Sequence, residues 1–358
     1  MAEFHPLTVA DIKRDTRDSV ILTLKPPAGA NAAFKFVQGQ YLTFRRVFDG
    51  EEMRRCYSIC AGVNDGALRV GIKKVDGGWF SSWANEELKI GDTLEAMTPM
   101  GNFHTPLNPA EARSYLGFAG GSGITPMISL IKTILEAERK SAFTLVYGNR
   151  STSAIMFREE LEDLKNVHMG RLSIVHVLES EAADIDLFSG RLDRAKCDEL
   201  FSRWINVQDA DVAFVCGPEP MMLAVSESLK AHGLDESAIK FELFASAQPG
   251  KAKKKAASGD VAARGRTCSA TIILDGASRI VELEKGEQSI LEAALAASID
   301  APYACKAGVC STCRAKLIEG EVDMEANYAL EDYEVERGYI LTCQSHPRTD
   351  RVVVDYDH

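Results

Sequence analysis

The sequence has no uninterrupted hydrophobic run long enough to cross a membrane. Its least polar stretch, residues 115–131, is broken by glycines, Ser122, Thr125 and Pro126, whereas a spanning helix needs about 20 predominantly apolar residues. The first residues, MAEFHPLTV, lack a basic region followed by an apolar core, so we expect no secretory signal. We therefore expect a cytoplasmic protein, in which thiols stay reduced and clustered cysteines bind metal more often than they cross-link.

The sequence also lacks an excess of positive charge: it has 41 Lys and Arg residues and 52 Asp and Glu residues, which gives a net charge of −11. Nucleic-acid-binding proteins usually present a basic face. The composition therefore argues against a nucleic-acid partner, and an acidic surface suits a basic docking patch on another protein instead. The acidic stretch 321–336 is a candidate for such docking, although a solvated surface is the simpler interpretation.

The 358 residues are enough for two or three domains of common size. Residues 1–108 contain short alternating runs, such as VILTLK (20–25), YLTFRRV (41–47) and LRVGIKKV (68–75). Gly, Pro, Asn and Asp separate these runs. This pattern predicts a first domain built as a small antiparallel β-barrel.

Residues 109–244 change to an alternation of strands and helices, which predicts a doubly wound parallel α/β domain. After the strand YLGFA, the segment 126–139 places Met127, Ile131, Ile134 and Leu135 on one helical face. Further strands are predicted at FTLVYG, LSIVHVL, DVAFVCG and IKFELF, with helices around 155–166, 191–204 and 218–232.

Residues 245–266 are rich in Ala, Gly, Ser and Lys, which predicts a flexible linker. The last domain, 267–358, opens with the alternating strand TIILDG, followed by a helix around 289–298.

This last domain contains a cysteine cluster. Cys305, Cys310 and Cys313 have the spacing C-x4-C-x2-C in YACKAGVCSTCRAK, and Cys343 follows far downstream. Zinc sites usually draw their ligands from two separated pairs, whereas three ligands on one loop and a distant fourth are typical of a plant-type [2Fe–2S] cluster. Small residues in the loop leave backbone N–H groups free to face inorganic sulfide. We expect the iron–sulfur cluster, and zinc stays the alternative.

A glycine turn, GGSGITP (120–126), follows the strand YLGFA and precedes a helix. Such a turn lets the backbone approach a pyrophosphate at a helix N-terminus. No Gly-Lys-Ser/Thr follows, so it is not a Walker loop, and Ile124 stands where a nucleophile elbow needs glycine. A second turn, VCGPEPMM (215–222), ends a later parallel strand and can line the same crevice.

Arg150 follows the strand FTLVYG. An arginine at this position favours the 2′-phosphate of NADP, whereas an acid would favour the free hydroxyl of NAD. Arg150 therefore points to NADPH as the nucleotide.

In the first domain, RRCYSICAG (54–62) places Arg55 and Tyr57 on one side of a strand and Ser58 on the other. An arginine that pairs a phosphate and an aromatic ring that stacks on a flavin make a plausible flavin site. The stretch GGWFSSW (77–83) adds a glycine-led turn with free N–H groups before a short helix.

Residues 4–244 resemble the ferredoxin–NADP reductase family, because they contain, in this order, the motifs R-x-Y-S, G-G-S-G-I-T-P and C-G-P-x-x-M. Residues 267–358 resemble a plant-type ferredoxin. The resemblance implies a β-grasp fold for the last domain, and FAD, NADPH and a [2Fe–2S] cluster as cofactors. The implied catalytic residues are Ser58, Cys216 and Glu242. The implied flavin-binding residues are Arg55, Tyr57, Ser58, Ile59, Gly78, Phe80, Ser81 and Ser82. The implied nucleotide-binding residues are Gly120, Gly121, Gly123, Thr125, Arg150, Cys216 and Gly217, with Phe244 as a ring-stacking aromatic. The cluster ligands are Cys305, Cys310, Cys313 and Cys343.

The same resemblance is to reductase components of bacterial multicomponent oxygenases. It implies that NADPH gives a hydride to the flavin, and that single electrons then pass through the cluster to an oxygenase partner. No general acid–base pair for hydrolysis is needed, because the cofactors do the chemistry. The alternatives are a reductase for a different acceptor, and a zinc-bearing binding module fused to an inactive nucleotide-binding domain.

Overall fold

The computed structural model describes residues 3–181, 185–244 and 267–358. The predicted linker, 245–266, lies outside the described residues. The chain divides into two compact units, one of Met1–Phe4, Gly50–Cys56 and Ala247–His358, and the other of His5–Asp49 and Tyr57–Ser246. Among the described helices, none has the length and apolar character needed to cross a membrane.

The N-terminal part forms a six-stranded antiparallel sheet in the order β4-β3-β6-β1-β2-β5. Directly after β4, Ile59 forms a bridge with Val70 of β5, and the Cys60 N–H donates a 2.9 Å hydrogen bond to the Arg69 carbonyl of β5. The sheet therefore closes as the predicted barrel. Alternating residues such as Leu22 and Val70 fill its interior. The strands are β1 (His5–Thr16), β2 (Ser19–Lys25), β3 (Tyr41–Phe48), β4 (Glu51–Ser58), β5 (Leu68–Lys73) and β6 (Thr93–Ala96), and helix α1 (Trp79–Glu86) lies between β5 and β6.

The second part is a five-stranded, fully parallel sheet in the order β11-β10-β7-β8-β9. Side chains of α2 and α3 pack in the core on one face, and side chains of α4 and α5 pack in the core on the other, which confirms the doubly wound fold. The strands are β7 (Ser114–Gly120), β8 (Ala142–Asn149), β9 (Leu172–Leu178), β10 (Val212–Gly217) and β11 (Ile239–Leu243). The helices are α2 (Ile124–Ala137), α3 (Arg158–Val167), α4 (Arg194–Arg203) and α5 (Glu219–Ala231).

Strand order reverses between β7 and β10. The chain runs outward from β7 to β8 and β9 and then returns to add β10 and β11 on the other side. Ligands of open α/β sheets bind outside the strand carboxyl ends at such a switch point. The two glycine turns at 120–123 and 217 follow β7 and β10, so the topology places both turns side by side.

Apart from Gly50–Cys56, which includes most of β4, the barrel and the parallel sheet belong to the same unit. A β-carbon on Gly71 of β5 would lie 2.8 Å from the Thr125 methyl group of α2, so glycine is needed for this close approach. Arg69 of β5 makes a bidentate ion pair with Glu160 of α3, at 3.1 and 2.9 Å. These contacts hold the barrel against the nucleotide-binding edge of the sheet.

The C-terminal part has a mixed five-stranded sheet in the order β13-β12-β18-β14-β16, with helix α6 packed in its core. This is the predicted β-grasp arrangement. Asp275 and Gly276, both at positive φ, form the two-residue turn between β12 and β13. Strand β13 was not predicted from the sequence. The elements are β12 (Thr267–Leu274), β13 (Ala277–Glu284), α6 (Ile290–Ala296), β14 (Arg314–Glu319), β15 (Val322–Met324), α7 (Asp332–Glu336), β16 (Tyr339–Leu341), β17 (Ser345–Pro347) and β18 (Arg351–Asp355).

Candidate redox site

Ser58 and Glu242 meet although 184 residues separate them in the sequence. Ser58 ends β4 and is buried, and its hydroxyl donates a 2.9 Å hydrogen bond to the partly buried Glu242 carboxyl group on β11. Burial raises the pKa of Glu242 to about 8, and the Ser58 hydrogen bond opposes that rise. Glu242 therefore keeps its proton at neutral pH, so this pair is suited to holding or moving a proton.

Cys216 lies directly beside Glu242, because the two residues are paired in the register of β10 and β11. The thiol is fully buried. Burial, and next the Glu242 carboxyl group, raise the pKa of Cys216 well above its ordinary range. The thiol stays neutral and is not an activated nucleophile, which fits a residue that packs beside a cofactor ring.

The glycine turn after β7 is shaped for close backbone approach. A β-carbon on Gly123 would lie 2.1 Å from the Cys216 carbonyl oxygen, and one on Gly217 would lie 3.0 Å from the Gly120 nitrogen. Gly121 has a φ of 55°, a conformation that favours glycine, and its missing side chain leaves open space. The two turns therefore leave space over Gly121 in which the pyrophosphate of a nucleotide can approach the protein backbone.

Helix α2 begins directly after this turn and has neither a side-chain N-cap nor an acidic residue in its first turn. The Ile124 N–H donates to the Gly121 and Ser122 carbonyls, and Pro126 has no N–H. What this helix offers an anion is therefore the positive potential of its N-terminus. The buried Thr125 hydroxyl donates to the Ser122 carbonyl at 3.0 Å and fixes the turn. This arrangement fits a pyridine nucleotide, whose pyrophosphate is the anion.

Arg150 is exposed just beyond the end of β8, and its guanidinium has no hydrogen-bond or ion-pair partner among the described residues. Two acidic residues lie nearby in the segment that follows β9, but both already have hydrogen-bond partners. Glu179 accepts a 3.1 Å hydrogen bond from Arg191, and Glu181 accepts one of 3.1 Å from the Thr152 N–H. Arg150 is therefore a free cation at this edge of the sheet.

The predicted flavin residues of the second unit lie around α1. The Tyr57 ring centroid is 5.5 Å from that of Phe80 and 6.1 Å from that of Phe44. Gly78 is the N-cap of α1, which has no side-chain cap and no acid in its first turn. An aromatic wall beside an uncapped helix N-terminus fits a flavin ring and its phosphates.

Three other predicted flavin residues have structural contacts. The Ser81 hydroxyl accepts from the Val75 N–H and donates to the Gly78 carbonyl, both at 3.1 Å, so it shapes the turn. The Ser82 N–H donates to the Gly78 carbonyl at 2.9 Å, and Ile59 is a core side chain whose N–H donates to Gln40.

Arg55 and Phe244 complete the predicted set. The Arg55 guanidinium donates to the neighbouring Arg54 carbonyl at 2.7 Å. Phe244 follows the end of β11 and packs, partly buried, against the core around α2.

The four predicted cluster ligands lie close together. The Cys305 N–H donates to the Cys310 sulfur at 3.3 Å, and the Ala307 N–H donates to the Cys305 sulfur at 3.3 Å. Lys306 and Gly308 both have positive φ, and a β-carbon on Gly308 would lie 2.6 Å from the Ala326 carbonyl oxygen. The loop therefore wraps tightly and directs backbone N–H groups at sulfur.

The four thiols also affect one another's pKa. Interaction with Cys310, and next with Cys343, lowers the pKa of Cys305. Interaction with Cys343 lowers the pKa of Cys313. The same interactions raise the pKa of Cys310 and of Cys343. The four sulfurs are therefore close enough to influence one another, as the ligands of one cluster must be.

Some polar residues near the nucleotide edge were missed by the sequence analysis. Both side-chain polar atoms of Asn149 and the Nδ1 atom of His176 are buried without a hydrogen-bond partner among the described residues. Neither residue belongs to a recognisable motif, and only the register of β8 and β9 brings them near the glycine turn.

Comparisons with known proteins agree with this geometry. The oxidoreductase FAD-binding domain family matches residues 6–105, the oxidoreductase NAD-binding domain family matches residues 118–227, and the 2Fe-2S iron-sulfur cluster binding domain family matches residues 272–348. The last match decides between the two metals that the cysteine spacing left open, in favour of the iron–sulfur cluster.

The chain is 43% identical over 357 residues to one of the subunits of the 1,2-phenylacetyl-CoA epoxidase of Escherichia coli (strain K12), covering 100% of this chain and 99% of that protein. It is 31% identical over 361 residues to the ferredoxin reductase component of 3-ketosteroid-9-alpha-monooxygenase of Mycobacterium tuberculosis (strain ATCC 25618 / H37Rv), covering 98% and 95%. Among solved structures, it matches phthalate dioxygenase reductase with a TM-score of 0.60 and 25% identity, covering 98% of each chain. The chain therefore belongs to the ferredoxin–NADP reductase family, as an oxygenase reductase component with FAD-binding, NAD-binding and C-terminal [2Fe–2S] domains.

Proposed function

We propose that this chain is the NADPH-dependent reductase of a phenylacetyl-CoA epoxidase in aerobic phenylacetate degradation. Full-length similarity to the matching component of the Escherichia coli epoxidase supports this acceptor. The reductase activity itself follows from the family. NADPH as the donor is supported by the free Arg150 guanidinium, because a cation at the end of the second parallel strand suits a ribose 2′-phosphate. The nine cysteines all lie within the described residues and form no disulfide there, which, with the use of NADPH, fits a cytoplasmic location.

The single observation that carries the mechanism is the Ser58–Glu242 hydrogen bond beside Cys216. When bound, FAD would supply the conversion of a hydride into single electrons, which is the form in which a [2Fe–2S] cluster can take them. A hydride carries two electrons and one proton, so when its two electrons leave separately, one proton stays behind. We assign Glu242 and Ser58 to the exchange of that proton: the protonated Glu242 carboxyl group can donate its own proton at this site and then take up the one left behind, and the Ser58 hydroxyl holds it in place.

The remaining residues position the cofactors. The N-termini of α1 and α2 are assigned to the flavin and nucleotide phosphates, Arg55 to a flavin phosphate, and Tyr57 to the flavin ring. Phe244 closes the ring face, and neutral Cys216 excludes water beside the nicotinamide. Cys305, Cys310, Cys313 and Cys343 are assigned to the two irons.

The proposed acceptor is tested by reconstitution. The purified chain, with NADPH, should support oxygen-dependent conversion of phenylacetyl-CoA by an epoxidase oxygenase component, and NADH should support at least ten-fold less at equal concentration. An epoxidase that stays inactive while the chain rapidly reduces another oxygenase would contradict the proposed acceptor and favour the alternative, a reductase for a different mono- or dioxygenase. The 3-ketosteroid monooxygenase reductases, at 31% identity, support that alternative.

A further inference from the structure

Trp79 is an exposed aromatic side chain at the proposed flavin phosphate site. It is the first residue of α1 and directly follows Gly77 and Gly78. Its side chain is 48% exposed, whereas the next residue, Phe80, is 1% exposed. Consecutive helical residues point about 100° apart, so Phe80 faces the Tyr57 ring while Trp79 faces away from it.

Other side chains fix the Trp79 indole ring. Phe48 meets it edge to face at a centroid distance of 6.2 Å and an interplanar angle of 72°. Phe48 is itself held by the edges of Phe80 and Trp83, at 6.3 and 6.2 Å. The Arg46 guanidinium lies over Trp83 at 3.8 Å and over Phe48 at 5.4 Å. The indole is therefore an oriented surface group with positive charge nearby, and ordering it costs little on binding.

We propose that Trp79 stacks on the adenine of FAD and selects the dinucleotide over FMN. This inference rests on the proposed flavin site at Tyr57 and α1. FMN ends at its single phosphate, whereas FAD continues through a second phosphate to an adenosine. With the flavin ring at Tyr57 and the phosphates at the N-terminus of α1, the adenosine extends past the residue that begins the helix. An indole face suits a nucleobase, since stacking needs no hydrogen-bond match.

The test compares the affinities of the apoprotein for FAD and for FMN. We expect Trp79→Ala to raise the Kd for FAD at least ten-fold and to change the Kd for FMN less than two-fold. Trp79→Phe keeps an aromatic face and should recover most of the FAD affinity. Both Kd values can be measured by titration calorimetry and by quenching of flavin fluorescence.

Trp204→Ala is the matched control. Trp204 is 58% exposed in the same unit and packs edge to face on Phe188, at 5.4 Å, after α4. Its replacement should leave both affinities unchanged. Thermal unfolding of each apoprotein verifies that the variants are folded.

Three other outcomes would contradict the stacking role of Trp79 or the proposed function. Equal loss of FAD and FMN affinity in Trp79→Ala would overturn the stacking role and show a structural one, and unchanged FAD affinity would overturn it outright. A wild-type chain that binds neither flavin would instead contradict the proposed function.

Discussion

The Ser58 hydroxyl donates a 2.9 Å hydrogen bond to the Glu242 carboxyl group, joining the last residue of a barrel strand to the last strand of the parallel sheet. Glu242→Gln keeps the shape of this pair but removes the proton that titrates. We expect it to lower NADPH-driven electron transfer about 100-fold, in the usual range for loss of a proton-transferring group. The wild-type rate should show a titration near pH 8 that the variant lacks. Steady-state rates from pH 6 to 10 measure both effects, and a titration that persists in Glu242→Gln would contradict the role.

The raised pKa of Glu242 also predicts how stability depends on pH. Burial raises this pKa from 4.5 to about 8, so between these values the folded protein binds a proton that the unfolded chain has released. The contribution of Glu242 therefore becomes less favourable as pH rises from 4.5 to 8, and stays constant above 8. Glu242→Gln should be more stable than wild type above pH 8 and equally stable below pH 4. Denaturant unfolding across this range measures the difference, and a pH-independent difference would contradict it.

Of the four proposed cluster ligands, Cys343 is the most distant in sequence from the other three. Replacing it with serine should lower the iron content to less than half and lower electron transfer to the oxygenase more than 100-fold. Reduction of the flavin by NADPH should continue, because the cluster acts after the flavin. Cys268→Ala is the control, since Cys268 is fully buried in the core of the same domain. Iron content that survives the loss of Cys343 would refute the ligand assignment.

Arg150 should determine nucleotide preference. Arg150→Ala removes the free cation at the end of β8, so we expect kcat/KM for NADPH to fall at least ten-fold, through KM, with NADH nearly unaffected. Arg139→Ala, which removes another exposed arginine of the same unit, should change neither value. A wild-type enzyme that uses both nucleotides equally well would show that Arg150 does not select NADPH.

Gly123 and Gly121 lie in the same turn but should respond differently to alanine. A β-carbon at Gly123 would lie 2.1 Å from the Cys216 carbonyl oxygen. A β-carbon at Gly121 would lie in open space, so the only cost there is the backbone φ of 55°, which disfavours residues other than glycine. Gly123→Ala should lower the free energy of unfolding by about 3 kcal/mol, since overpacking forces the backbone to move. Gly121→Ala should cost about 1 kcal/mol and should mainly weaken nucleotide binding. Chemical denaturation and nucleotide titration separate the two effects, and equal stability losses would contradict the difference.

The acidic stretch 321–336 contains residues of two kinds. Glu334 is buried, bonds Arg314 at 2.6 Å, and caps α7 together with Glu331. Asp332 and Glu336 are exposed. Asp332→Asn with Glu336→Gln should therefore slow reduction of the oxygenase about three-fold or more at low salt and reduce its salt dependence, if docking is electrostatic.

Glu282→Gln with Glu287→Gln, which removes two exposed acids elsewhere in the same domain, should leave the rate of oxygenase reduction unchanged. Stopped-flow rates at several ionic strengths test the prediction, and identical rates for both double variants and the wild type would reject electrostatic docking at α7.

Several features could be predicted because they depend on neighbours in sequence. The spacing of Cys305, Cys310 and Cys313 reflects a loop that must wrap a cluster, and glycine at 120, 121 and 123 reflects a strand-to-helix turn. The strands and helices of the parallel sheet were predicted to within a few residues because a buried parallel strand is a continuous apolar run. Strand β13 was missed although ASRIVELE alternates, and its turn, Asp275–Gly276, is a strong hairpin signal.

The sequence by itself determined the fold class and the three cofactor-binding domains, and it supplied the four proposed cluster ligands, because each motif is local and its chemistry requires particular residue types at fixed spacing. Only the tertiary structure decided that Ser58 meets Glu242, that Glu334 is buried while Asp332 is exposed, and that Trp79 is partly exposed beside the glycine turn that precedes α1. These facts depend on strand order and register, which arise from packing between segments far apart in the chain and leave no local pattern in the sequence.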